Sequence, residues 1–126
     1  MKKNVKFYRC SICENVIGLI DGDPKHISCC GKPMEQMVPN SVDAATEKHV
    51  PVCKKEGDKL IVSVGDVEHP MAEDHYIMWI AQVTDNQTTR VRLNPGELPQ
   101  AVFPYVGDAV VYAYCNKHGL WKTDVE

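Results

Sequence analysis

The sequence has no long apolar run: no segment approaches the length of a membrane span. The charged start, Met1-Lys2-Lys3-Asn4-Val5-Lys6, has no hydrophobic stretch behind it, so no signal peptide is expected. Positive charge is not in excess either. Fourteen Lys and Arg stand against 17 Asp and Glu, a net charge of −3 that argues against a nucleic-acid surface. Internal repeats, low-complexity tracts and amphipathic helical patterns are also lacking. Together these absences lead to the expectation of a cytoplasmic protein that meets neither membrane nor nucleic acid.

What the chain does have is six cysteines and five histidines. In a reducing compartment, closely spaced cysteines point to metal binding ahead of disulfides. Cys10 and Cys13 make a CxxC knuckle after a short β-prone run, and Cys29 and Cys30 are adjacent. The segment that holds them, residues 1–37, is too small to bury a core of its own, and a structural metal would supply the missing stability. A common zinc ribbon has two CxxC knuckles. Here the second pair is contiguous, and neighbours in an extended strand point to opposite faces. The backbone must therefore bend, with Gly31 free to take a positive φ, and the tetrahedron should be distorted. Thiolates suit iron and zinc alike, so spacing does not choose between them.

Residues 38–46, with Pro39, Asn40, Ser41 and Asp43 and no period, read as a connector. Beyond it the pattern is all β. Strands are expected at 59–64, 75–83, 88–93, 101–103, 109–115 and 120–122, separated by Gly, Pro and Asn turns. Such spacing indicates a β-sandwich over residues 38–126. Within the second of these strands, His75, Ile77, Trp79, Ala81 and Val83 alternate onto one apolar face with His75 at its end.

The apolar run 109–114 ends at Cys115-Asn116-Lys117-His118-Gly119, a thiol and an imidazole where a strand gives way to a turn. Three more histidines lie in the middle of the chain. His69 is held extended by Pro70, and its spacing from His75 requires a loop between them. His49 follows Glu47 and Lys48. Individually each reads as a surface residue; jointly His49, His69 and His75 read as folding back onto Cys115 and His118 to make one iron site.

These residues carry a family resemblance across essentially the whole chain. Cys10-x-x-Cys13 with Cys29-Cys30, Glu47-Lys48-His49-Val50-Pro51, His69-Pro70-Met71, His75 and Cys115-Asn116-x-His118-Gly119 together resemble desulfoferrodoxin, the two-iron form of superoxide reductase. The resemblance implies an all-β fold: a small desulforedoxin-like metal-binding domain, then an immunoglobulin-like β-sandwich. It implies two non-haem iron ions per chain, one on Cys10, Cys13, Cys29 and Cys30. The other would have four equatorial imidazoles (His49, His69, His75, His118) and axial Cys115. Glu47 and Lys48 match a mobile loop over the open position. Superoxide as substrate, rubredoxin as electron donor and a homodimer are implied in the same way. Glu14 departs from the pattern, since rubredoxin-type knuckles have Gly there, and Cys53 and His26 belong to neither ligand set. The alternative function is a non-catalytic electron carrier of blue-copper or rubredoxin type. A blue-copper site needs only two His and usually an axial Met, and no Met follows Cys115 here.

Overall fold

A computed structural model describes residues 5–42, 44, 46–65 and 69–126, with Glu47 described by its backbone alone. The expected extreme N-terminus, Asp43 and Ala45 of the connector, and Glu68 lie outside the described residues.

The first segment is built from short strands. β1 (Lys6–Arg9) pairs antiparallel with β2 (Val16–Leu19) on one side and β5 (Glu35–Gln36) on the other. A 3-10 turn at Pro24–His26, N-capped by the Asp23 carboxylate, leads to β3 (Ser28–Cys29), which pairs with β4 (Lys32–Pro33).

The connector then holds to the rest of the chain through Asn40. Its main-chain N–H donates to Leu120 O, its side-chain oxygen accepts from Lys122 N–H, and its Nδ2 donates to Lys122 O. One side chain thus imitates a strand against an edge that would otherwise be unpaired.

Seven strands make the sandwich. β6 (Pro51–Glu56), β7 (Lys59–Val64) and β10 (Gln100–Pro104) form a three-stranded sheet, with β7 central. β8 (Ile77–Val83), β9 (Thr88–Arg92), β11 (Ala109–Cys115) and β12 (Gly119–Val125) form the other, in the order β12-β11-β8-β9. Leu60, Val62 and Val64 of β7 alternate inward and meet Ile77, Ile80, Val111 and Ala113 across the gap, with Phe103 filling the space between. This is the alternation of a sheet with one wet face.

β8 and β11, by contrast, are buried on both faces. Their second face, carrying Trp79, Ala81, Tyr112 and Tyr114, is covered by Phe7 of β1, flanked by Val5, Val16 and Met37. The Phe7 ring lies 5.0 Å from Trp79 and 5.1 Å from Tyr112. The small N-terminal segment therefore borrows apolar surface from the sandwich.

One expectation is corrected. Ile77 does not share a face with Trp79, Ala81 and Val83, because the β8–β11 ladder slips: Tyr114 pairs with Trp79, but Cys115 pairs with Ile77. Met78 is the extra residue of a β-bulge, which turns Ile77 and Cys115 together into the inter-sheet core. Beyond the first segment, the edge strand β6 and one helical turn, α1 (Thr46–His49), inside the junction of connector and sandwich, were also not expected. Among the described residues no helix is long and apolar enough to cross a membrane.

Candidate metal centres

Two groups of donors emerge from this framework. In the first, the turn after β1 folds back on itself: Glu14 N–H donates to Cys10 O and Cys10 N–H to Asn15 O. The amides of Ile12 and Cys13 both point at Cys10 Sγ, at 3.4 Å. These donors pull the Cys10 thiol down to about 6. Across the turn, Cys13 Sγ lies 3.5 Å from Cys29 Sγ, which lies 4.0 Å from Cys30 Sγ. Sulfurs about 2.3 Å from a shared tetrahedral ion stand about 3.8 Å from one another, so the spacing fits a four-thiolate metal.

The protonation pattern agrees. Hydrogen bonding to Cys13, then to Cys29, pushes Cys30 up to about 12. Four thiolates so close need a cation among them at neutral pH. The adjacent pair is accommodated as anticipated by Gly31 at φ +77°, and also by Cys30 itself at φ +54°. Glu14, where glycine was the norm, takes φ +67° and forms an ion pair with Arg9 at 3.2 Å. Left-handed backbone costs an L-residue roughly 1–2 kcal/mol and an exposed ion pair returns at most about 1, so the offset is partial.

The second group is drawn from distant elements. α1 buries His49 and leaves Lys48 exposed on the same turn. His69 and His75 sit at the two ends of a loop closed by paired hydrogen bonds between Ala72 and His75. Met71 anchors it, its carbonyl accepting from Gly96 N–H and its sulfur from Ile77 N–H at 3.4 Å. Cys115 ends β11 with no exposed surface, and His118 lies in the three-residue turn to β12. That turn closes at Gly119, whose φ of +81° suits glycine.

The four imidazoles form a square. Ring centroids are 4.6 Å apart for His49–His69, 4.8 Å for His69–His75, 5.0 Å for His75–His118 and 4.8 Å for His118–His49. Neighbouring rings are nearly perpendicular, while the opposite pair His49 and His75 are 6.5 Å apart and tilted by only 28°. Donor atoms of His49, His69, His75 and Cys115 all fall within 4.8 Å of one another. His118 stands at the margin of that set, with Nδ1 3.1 Å from His49 Nε2 and 3.9 Å from Cys115 Sγ.

Individual atoms test whether a metal fits here. His69 Nδ1 is 2.7 Å from Pro70 O, so Nδ1 carries the proton and Nε2 is left with a lone pair. That Nε2, and the Nε2 of His75, are buried with no hydrogen-bond partner among the described residues. Unpaired buried nitrogens are costly unless something binds them, and an ion at the centre of the square would. Burial disfavours the charged form of both imidazoles: His69 is pushed down to about 4, and His75 is lowered as well. Burial also raises the Cys115 thiol, while the backbone N–H groups of Lys117 and His118 pull it the other way. Soft thiolates and imidazoles suit iron at both positions.

Trp121 is the support the sequence did not reveal. Fully buried on β12, it stacks on His49 at 5.0 Å, and its Nε1–H donates to His118 O at 3.0 Å. Its place three residues after His118 was the only available signal. Cys53 and His26 join neither group. Cys53 packs half-buried against the sandwich core, where burial pushes it up to about 11, and His26 is exposed.

A β-sandwich that gathers four imidazoles around one buried sulfur, with a four-sulfur knuckle on a segment packed against its outer face, defines the class of two-centre non-haem iron proteins. The family model described as desulfoferrodoxin matches residues 41–124. The chain is 44% identical to a desulfoferrodoxin of Syntrophotalea carbinolica over 125 residues, covering 98% of this chain and 99% of the relative. It therefore belongs to the desulfoferrodoxin family. Among solved structures, the superoxide reductase from Treponema pallidum superposes with a TM-score of 0.76 at 28% identity, covering 95% of this chain and 98% of the other. The superoxide reductase (1Fe-SOR) of Giardia intestinalis gives 0.55 at 30% identity, covering 64% and 98%.

Proposed function

We propose that this chain is a superoxide reductase, in which superoxide gains one electron and two protons and leaves as hydrogen peroxide. The observation that carries this reading is the square of four imidazoles gathered with one buried sulfur. His49, His69, His75, His118 and Cys115 are assigned as ligands of the catalytic iron, and Cys10, Cys13, Cys29 and Cys30 as ligands of the first. When bound, the catalytic iron supplies the electron and a positive centre for an anion.

The chain's own residues then shape the reaction. Pro70 O orients His69 through Nδ1, and Trp121 holds His49 and His118 in place. The sulfur of Cys115 is a strong electron donor, and the Lys117 and His118 amides moderate it. Lys48, exposed beside His49, draws superoxide towards the site despite the acidic whole. Protons come from solvent at that mouth. Glu47 is assigned as the lid residue, an oxygen donor suited to the oxidised metal. Four imidazoles in place of two speak against a blue-copper carrier.

Further parts of the proposal rest on the family resemblance. They are a rubredoxin-type donor and a homodimer; a cytoplasmic location and no nucleic-acid partner are proposed instead from the lack of a long apolar run and the net charge of −3. The division into a four-cysteine domain at 1–37 and a sandwich domain at 38–126, with 38–46 connecting, is supported by strand pairing confined within each part.

The direct test mixes the fully reduced protein with a pulse of superoxide. One hydrogen peroxide should form per superoxide consumed, with no dioxygen, and the second-order rate should fall as salt screens Lys48. Dioxygen released in step with peroxide would make the protein a dismutase.

A further inference from the structure

We infer that Asn116 is a positioning residue that fixes His75 against Cys115. The inference rests on the reading of His75 and Cys115 as ligands of one iron. Asn116 follows Cys115 directly and spends its hydrogen bonds on a single three-residue segment. Its side-chain oxygen accepts from Tyr76 N–H at 2.9 Å, and its Nδ2 donates to Asp74 O at 3.1 Å. Its main-chain N–H donates to Tyr76 O at 3.2 Å. The two side-chain partners flank His75, so one amide brackets that histidine from both sides.

The local structure explains the need. Regular pairing of β8 with β11 ends at Ile77 and Cys115, one step after the bulge at Met78. His75 lies beyond the ladder, on a two-residue hairpin that is marginal by itself. Among the described residues its own Nε2 has no hydrogen-bond partner to hold the ring by its tip. Position must come through the backbone, and Asn116 connects that backbone to the residue beside the sulfur. Only an amide of this length both accepts from residue 76 and donates to residue 74. A carboxylate keeps the first bond and loses the second.

The experiment uses the full-length, iron-loaded protein and follows iron transfer to an excess of a coloured ferrous chelator. The four-sulfur centre, read by its own absorption, serves as internal reference. Asn116→Ala should release iron from the histidine site at least about tenfold faster than the parent, and Asn116→Asp by an intermediate factor. Both should shift the thiolate-to-iron absorption of the oxidised site, and the four-sulfur reference should not move. If Asn116→Ala does not fold, Asn116→Asp carries the same comparison. In a His75→Ala background, adding Asn116→Ala should change the release rate no further, because the group it positions is gone. Independent, multiplying effects would overturn the inference, as would parent-like release from Asn116→Ala. If His75→Ala alone retains iron like the parent, the ligand assignment has failed first. A leaky His75→Ala beside a parent-like Asn116→Ala would sink only the positioning role.

Discussion

The two donor groups are assembled in opposite ways. The four sulfurs come from one stretch, Cys10 to Cys30, at the ends of strands of two to four residues and in the turns between them, and Cys13 and Cys30 are exposed. The imidazole square draws on a helical turn, a closed loop, a strand end and a hairpin turn, from His49 to His118, and buries His49, His69 and Cys115. A site made locally has little besides its ion to hold it. One assembled from distant elements is held by the core that brings them together. The sandwich can thus present an organised site before any metal arrives, whereas the knuckle and its metal should form together.

Withdrawing metal should separate the two most sharply. In the metal-free protein, amides of β2, β3 and β4 should exchange at nearly unprotected rates, while those of β8 and β11 remain the slowest in the chain. Hydrogen exchange resolved by segment measures this. Equal loss of protection in both parts would mean that the sandwich also needs its ion.

Phe7→Ala should have the next largest effect. It removes the ring that joins β1 to Trp79 and Tyr112, at a cost of about 3 kcal/mol. Iron should leave the four-sulfur centre faster, with the histidine centre little changed, as chelator competition would record. An unchanged four-sulfur centre would show that the knuckle does not depend on the sandwich.

The smallest effect is a pH dependence confined to the metal-free sandwich. His69 has its pKa lowered to about 4 by burial, against 6.5 when exposed, and His75 is lowered too. As pH falls through 6.5 the unfolded chain binds protons that the folded chain refuses. Stability should therefore decline between about pH 6.5 and 4, and be insensitive to these groups above 7. Thermal unfolding across that range, followed by tryptophan fluorescence since both Trp79 and Trp121 lie in the sandwich, checks the sign.

Much of this was legible in the sequence, and the exceptions have physical causes. β7 was readable to the residue because its apolar positions alternate and Gly57 opens the turn before it. β6 was not, since Pro51 and the charges of Lys54, Lys55 and Glu56 mark an edge strand with little apolar signal. β8 was found but misphased, because a bulge at Met78 leaves no trace in a run apolar on both faces. Ligands stood out because cysteine and histidine are few and chemically distinct. Trp121 and Asn116 did not, since an aromatic on a strand and an amide in a turn have ordinary roles until the partners are seen.

The most direct test of where the chemistry resides compares Cys115→Ser with Cys13→Ser. Each protein is fully reduced and given one pulse of superoxide, and the decay of superoxide is followed in a single turnover. Cys13→Ser should disturb the four-sulfur centre and consume superoxide at close to the parent rate, while Cys115→Ser should fall to the rate of buffer. Equal losses in the two variants, or an active Cys115→Ser, would contradict the assignment of superoxide reduction to the imidazole square.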